Sequence, residues 1–109
     1  MWQLSAATRV YLARGVTDMR KSFNGLYACA TEVLKRDALS GHLFLFCNRR
    51  RNRLKVFYWD GSGFWVCAKR LERGRFAWPD RETLRAEEMT LLLGGIDLKN
   101  TREKKWHRI

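Results

Sequence analysis

Seven arginines fall in two short stretches, Asn48-Arg49-Arg50-Arg51-Asn52-Arg53 and Lys69-Arg70-Leu71-Glu72-Arg73-Gly74-Arg75-Phe76. A guanidinium is charged throughout the physiological range and offers a planar fork of N–H donors that matches a phosphate. The chemistry these stretches can perform is therefore anion binding. Arg20 and Lys21 form a further cationic pair just ahead of a helical pattern. There they either share an anion with the helix N-terminus or are simply exposed charges.

Candidate catalytic groups are sparser: Asp18, Asp60, Glu72, Asp80, Asp97, His42 and His107. Asp60 stands in a turn sequence where aspartate is expected for backbone reasons, and Glu72 stands among arginines as a salt-bridge partner. Asp97 follows Gly94-Gly95-Ile96, where it could close an element. A metal-dependent nuclease needs several acids converging, and no local spacing gathers them. There is no Ser or Cys nucleophile motif, no phosphate-cradling glycine loop and no cofactor fingerprint. The expectation is a binding protein and not an enzyme, with no cofactor and no metal.

The chain has 109 residues, with 22 Lys plus Arg against 11 Asp plus Glu and a formal charge of +11. Its pI near 10.3 predicts attraction to polyanions, whether nucleic acid, an acidic protein or an anionic membrane surface. Nucleic acid is favoured because arginine outnumbers lysine and lies beside tryptophan and phenylalanine, a pairing suited to phosphate contact plus base stacking. With 46% apolar and 13% aromatic residues the chain is a folded one, long enough for one modest core. Cys29, Cys47 and Cys67 are widely spaced with no C-x-x-C pair, which predicts reduced thiols. The start Met1-Trp2-Gln3-Leu4 does not read as a signal peptide, and no run approaches the roughly 18 apolar residues of a membrane span. The expected location is cytoplasmic, with no membrane partner.

The elements that must position the arginines follow from the apolar pattern. Arg9 to Arg14 reads as a strand that ends at Gly15. Phe23, Leu26, Tyr27, Ala30, Val33 and Leu34 follow the i, i+3, i+4, i+7 series, predicting an amphipathic helix from about Ser22 to Arg36 with Asp18 or Ser22 as its cap. Leu43 to Phe46, Leu54 to Trp59 and Phe64 to Lys69 read as strands. Asp60-Gly61-Ser62-Gly63 joins the last two in one of two ways. A Gly61-Ser62 loop pairs Phe57 with Val66 and Trp59 with Phe64, whereas an Asp60-Gly61 loop pairs Phe57 with Phe64.

Either register gives the same two faces. Lys55, Phe57, Trp59, Phe64, Val66 and Ala68 share one; Leu54, Val56, Tyr58, Trp65, Cys67 and Lys69 share the other. Neither is polar, so both need covering. The helix can cover one, and the second falls to the remaining segments, another subunit or a partner. Residues 71–79 read as an ordered loop anchored by Phe76 and Trp78, with Arg70, Arg73 and Arg75 outward. Thr83 to Leu93 reads as a second helix capped by Thr83 and stopped at Gly94-Gly95. The division is a single domain over 1–98 and a basic C-terminal tail over 99–109.

The ordered series Thr17-Asp18-Met19-Arg20-Lys21-Ser22-Phe23, Ser40-Gly41-His42-Leu43-Phe44-Leu45-Phe46, Asn48-Arg49-Arg50-Arg51-Asn52-Arg53-Leu54-Lys55, Trp59-Asp60-Gly61-Ser62-Gly63, Lys69 to Pro79 and Leu91-Leu92-Leu93-Gly94-Gly95-Ile96-Asp97 resembles one family. It is similar to the small accessory proteins, often labelled TnpB, encoded by the second reading frame of insertion sequences of the IS-sixty-six type. The resemblance implies a role in transposition beside a separate DDE transposase and the element's other accessory protein, and implies no catalytic residues.

The expected fold is thus α+β, with an antiparallel sheet of about four strands, one long amphipathic helix and a second short C-terminal helix. The expected function is binding of transposon DNA or of a transposase–DNA complex. Arg49, Arg50, Arg51, Arg53, Arg70, Arg73 and Arg75 would contact phosphates, and Arg20 and Lys21 would extend the surface. The alternative is an adaptor that docks on the transposase through Tyr58, Trp65 and Leu54.

Overall fold

The computed structural model describes residues 7–96. Its elements in chain order are β1 (Val10–Leu12), α1 (Phe23–Ala28), a π-helical turn (Cys29–Val33), β2 (Leu43–Cys47), β3 (Arg53–Trp59), β4 (Phe64–Arg70), β5 (Thr83–Leu84) and α2 (Ala86–Leu93). The sheet has five strands in the order β4-β3-β2-β1-β5. It is mixed, where the sequence predicts about four antiparallel strands. β1 runs parallel to β2, with Val10 beside Leu43 and Leu12 beside Leu45. The connection from Ala13 to His42 includes α1, the kind of long crossover that parallel neighbours require.

β2 is buried at all five positions, as a central strand with two covered faces must be. Leu43, Leu45 and Cys47 join one core cluster with Val10, Leu12, Leu54, Val56, Phe76, Leu84, Met89 and Leu92. Phe44 and Phe46 join the opposite one with Tyr11, Ala13, Leu26, Ala30, Ala38 and Phe57. The first cluster is roofed by α2 and by the segment carrying Phe76; the second is roofed by α1 and the π-helical turn. The chain's own segments therefore cover both faces of the sheet's centre.

The helix after Ser22 is shorter and less regular than its periodicity predicts. After Ala28 the backbone widens, so that the Leu34 N–H donates to the Cys29 carbonyl five residues back, and Lys35 leaves the helix with φ of 57°. A π-type turn advances each residue by less than an α-turn and shifts every later side chain around the axis. Leu26 and Ala30 stay fully buried, whereas Val33 swings out to 69% exposure. Neither proposed cap forms as predicted: Ser22 makes no side-chain bond at the helix start, and Asp18 accepts the Arg20 N–H instead.

Thr83 also departs from its expected role. It belongs to β5, with Val10 opposite Leu84 and Tyr11 opposite Thr83, so α2 starts later at Ala86. There the Glu88 carboxylate accepts the Arg85 backbone N–H at 3.0 Å, satisfying one donor at the helix start.

Candidate nucleic-acid interface

The ribbon of β3 and β4 sets the geometry of the cationic loops. Its register places Phe57 opposite Val66 and Trp59 opposite Phe64, the pairing of a Gly61-Ser62 loop. Gly61 has φ of +105°, a conformation that glycine adopts without a Cβ clash. Asp60 holds this turn: its carboxylate accepts the Ser62 and Gly63 backbone N–H groups and, at 2.7 Å, the Trp65 Nε1–H. These donors, led by the Ser62 N–H, hold the Asp60 pKa down at about 2. Asp60 is therefore engaged as turn architecture.

At the opposite end of the ribbon the two arginine stretches meet. Asn48 organises the first: its Oδ1 accepts the backbone N–H groups of Asn52 and Arg53, each at 3.1 Å, and its Nδ2 donates to Asn52 Oδ1 at 2.8 Å. The Arg51 carbonyl then accepts the Phe76 N–H at 2.6 Å, and the Asn52 carbonyl accepts the Leu71 N–H at 2.8 Å. Phe76 is 2% exposed and pins the second stretch to the core. Two backbone bonds and one buried ring thus fix both loops against each other at the same edge.

The side chains divide into three groups. Arg49, Arg50, Arg53, Arg73 and Arg75 are exposed, and among the described residues none has a carboxylate partner. Arg20 and Arg70 are exposed but paired, Arg20 with Asp18 at 2.7 Å and Arg70 with Glu72 at 3.0 Å. The Arg20 guanidinium, by direct hydrogen bonding, holds Asp18 at a pKa of about 2. Lys21 is exposed, its stem close over Gly25, where an added Cβ would lie 3.0 Å from the Lys21 Cβ.

Arg51 stands apart. Its backbone is left-handed, with φ of 57°, which turns the side chain back into the fold. The guanidinium carbon lies 5.5 Å from the centre of the Trp78 ring, Nη2 reaches the Arg14 carbonyl at 3.4 Å, and Nη1 is buried with no hydrogen-bond acceptor among the described residues. Trp78 is itself fixed by its Nε1–H, which donates to the Ala13 carbonyl at 2.9 Å. Burial raises the pKa of the Cys47 thiol, which the nearby Arg51 guanidinium pulls the other way. Arg51, expected from the sequence to contact phosphate, is thus half-buried against Trp78 where Arg49, Arg50 and Arg53 are exposed.

Between the Met19 loop and the ribbon runs a groove of about 320 Å³, lined by Met19, Arg53, Lys55, Lys69, Arg70 and Glu72 among others. Three cations on one face of the ribbon, Arg53, Lys55 and Arg70, meet one carboxylate there, a cavity suited to an anion. The sequence expectation omits Lys55 and Lys69 from the cationic surface. The signal for Lys55 was the alternation of β3, which puts it on the same face as Arg53. Lys69 lies on the other face, where its Nζ donates to the Leu93 carbonyl at the end of α2.

The adaptor face is also altered. Leu54 is 1% exposed within the first core cluster, beneath α2 and the segment carrying Phe76, so it is closed to a partner. Tyr58 and Trp65 stack with centroids 6.4 Å apart, and Trp65 is 51% exposed. Among the described residues no three His, Cys, Asp or Glu side chains gather as metal ligands, and no helix is long and apolar enough to cross a membrane. Asp97 and the 99–109 tail lie outside the described residues.

Comparison with known proteins bears on what such an edge serves. Two proteins of Sinorhizobium fredii (strain NBRC 101917 / NGR234) are similar along most of their length. Uncharacterized protein y4hO is 42% identical over 99 residues, covering 87% of this chain and 86% of that protein. Uncharacterized protein y4jC is 35% identical over 104 residues, covering 92% and 89%. No solved structure matches. The family model described as IS66 Orf2 like protein matches residues 8–103, a span that includes the whole sheet, both arginine loops and α2. The chain belongs to this IS66 Orf2-like family, whose role is accessory to insertion-sequence transposition and associated with the IS66 transposition machinery.

Proposed function

We propose that the chain is a non-catalytic accessory protein that binds the DNA of its insertion sequence, at the transposon ends or in complex with the DDE transposase. The observation that carries this reading is the pairing of the two arginine loops through the Phe76–Arg51 and Leu71–Asn52 backbone bonds. Loops separated in sequence would scatter their charge; loops tied together present Arg49, Arg50, Arg53, Arg73 and Arg75 as one cationic edge. Arg70 and the groove beside Lys55 extend that edge, and Arg20 with Lys21 flank it. Arginine without a carboxylate partner is suited to phosphate, because its fork needs no competing ion pair broken first.

A salt titration of binding to transposon-end duplex tests it. Neutralising about five phosphates predicts that log K falls against log salt with a slope of about −4 to −5. A flat dependence, or no binding at low salt, overturns direct DNA contact. A second reading, an adaptor for the transposase or the element's other accessory protein, draws on the exposed Tyr58–Trp65 stack. Co-purification with the transposase from nuclease-treated lysate, retained after the five unpaired arginines are replaced, favours that reading.

A further inference from the structure

The two edges of the sheet are unequal. β5 has two residues, whereas β4 has seven, pairs with β3 in unbroken register and contains no proline, glycine or bulge. Edge strands of that length are ordinarily blunted by such devices, because their outer N–H and C=O groups are a template for another strand. Among the described residues no strand lies on the outer side of β4.

Which groups face outward can be derived. Asp60 N–H donates to the Gly63 carbonyl at one end of the ribbon, and Leu71 N–H donates to the Asn52 carbonyl at the other. Hydrogen-bonded pairs alternate with non-bonded ones between those ends. Trp65, Cys67 and Lys69 therefore use their backbone groups on β3, and Phe64, Val66, Ala68 and Arg70 turn theirs to the open edge.

We propose that β4 pairs antiparallel with β4 of a second copy of this chain, about a two-fold axis at Cys67, the middle residue of the strand. This register uses the whole strand. Val66 and Ala68 exchange bonds, as do Phe64 and Arg70, and both sets occur twice. Trp65 of each copy lies opposite Lys69 of the other, and Phe64 opposite Arg70, so aromatic rings meet cations and no like charges are opposed. An axis at Ala68 would instead draw the two Lys69-Arg70 ends toward each other, and one at Val66 would leave them beyond the paired region. The Trp65 ring, 51% exposed in one copy, gains a neighbour. The two arginine-loop edges lie at opposite ends of the joined strands, which keeps the strongest repulsion apart. This pairing is independent of DNA binding.

Sedimentation velocity and light scattering on the full chain should give twice its 12.9 kDa mass at high concentration. A short bismaleimide should link Cys67 to Cys67, since residues opposed in a non-bonded pair lie about 4.5 Å apart at Cα. Trp65→Glu, facing Lys69, should tighten the dimer and Trp65→Lys loosen it, the two differing by about tenfold or more. Ala68→Pro deletes an outward donor and should abolish the dimer; should it also unfold the chain, the Trp65 pair still decides. Added salt should strengthen the dimer, because copies carrying +11 repel, whereas it weakens DNA binding, so the two readings fail separately. A monomer at all concentrations, a dimer without the Cys67 link, or equal effects of the two Trp65 variants overturns the proposal.

Discussion

Arg53 and Arg70 stand directly opposite each other across the β3–β4 ribbon, at the end where both arginine loops emerge. They fall in a non-hydrogen-bonded pair, in which side chains approach most closely, and like charges so placed destabilise a sheet by about 0.2–1 kcal/mol. Glu72 offsets part of this by accepting from Arg70, while Arg53 has no carboxylate partner among the described residues. A fold that keeps this repulsion fits a surface meant for anions. Arg53→Gln should therefore leave stability unchanged or raise it by up to about 1 kcal/mol, and should flatten the salt slope of DNA binding by about one. Urea denaturation and the salt titration measure the two effects on the same preparation.

Arg51 makes the opposite prediction from its neighbours. Its contact with Trp78 and the packing of its stem should make Arg51→Ala cost about 1–2 kcal/mol. Arg49→Ala and Arg50→Ala should stay within about 0.5 kcal/mol and weaken DNA binding instead. Parallel denaturation and binding curves for the three variants separate the brace from the contacts; equal stability losses at all three positions would contradict the inward placement of Arg51.

The sequence could not have distinguished these arginines, because Arg49-Arg50-Arg51 is one unbroken run and only the left-handed backbone at Arg51 decides which side chain turns in. What was legible had a local cause. The two faces of the ribbon followed from alternation, and Phe76 and Trp78 stood out as apolar anchors in a polar loop. The parallel pairing of β1 with β2 was hidden, since the segments lie far apart in the chain and neither encodes direction. β5 was hidden because Thr83-Leu84 is too short for any period. The π-helical turn was masked because Val33 and Leu34 continue the helical spacing that the backbone itself abandons. The convergence of the loops was likewise unreadable: it rests on backbone bonds, to which any residue but proline can contribute a donor.

Phe76 tests that convergence. Its ring is buried beside Leu54 and Met89 in the first core cluster, and its N–H ties the second loop to Arg51. Phe76→Ala should cost about 3–5 kcal/mol through the lost ring and the cavity left behind. Phe76→Leu should recover most of the stability. If a rigid joint edge matters for DNA, affinity at a temperature where the alanine variant is still folded should drop although no charge has changed. Unchanged affinity in that folded variant would mean that the two loops act independently.

The Asp60 turn predicts a pH dependence of stability with a definite sign. Its carboxyl is held at about 2 against an ordinary 3.8, so the native state binds its proton less readily than the unfolded chain. The stabilisation is complete above about pH 4 and is lost as pH falls through about 2. Asp60→Asn keeps an acceptor but removes the ionisation. The native chain should therefore be the more stable of the two at neutral pH, and its advantage should shrink between about pH 4 and pH 2. Asp18, also held at about 2 by Arg20, titrates in both proteins and cancels in the difference. Thermal melts of the pair across this range measure it. A difference that stays constant down to pH 2 would mean that the Ser62, Gly63 and Trp65 donors are satisfied equally well by a neutral oxygen.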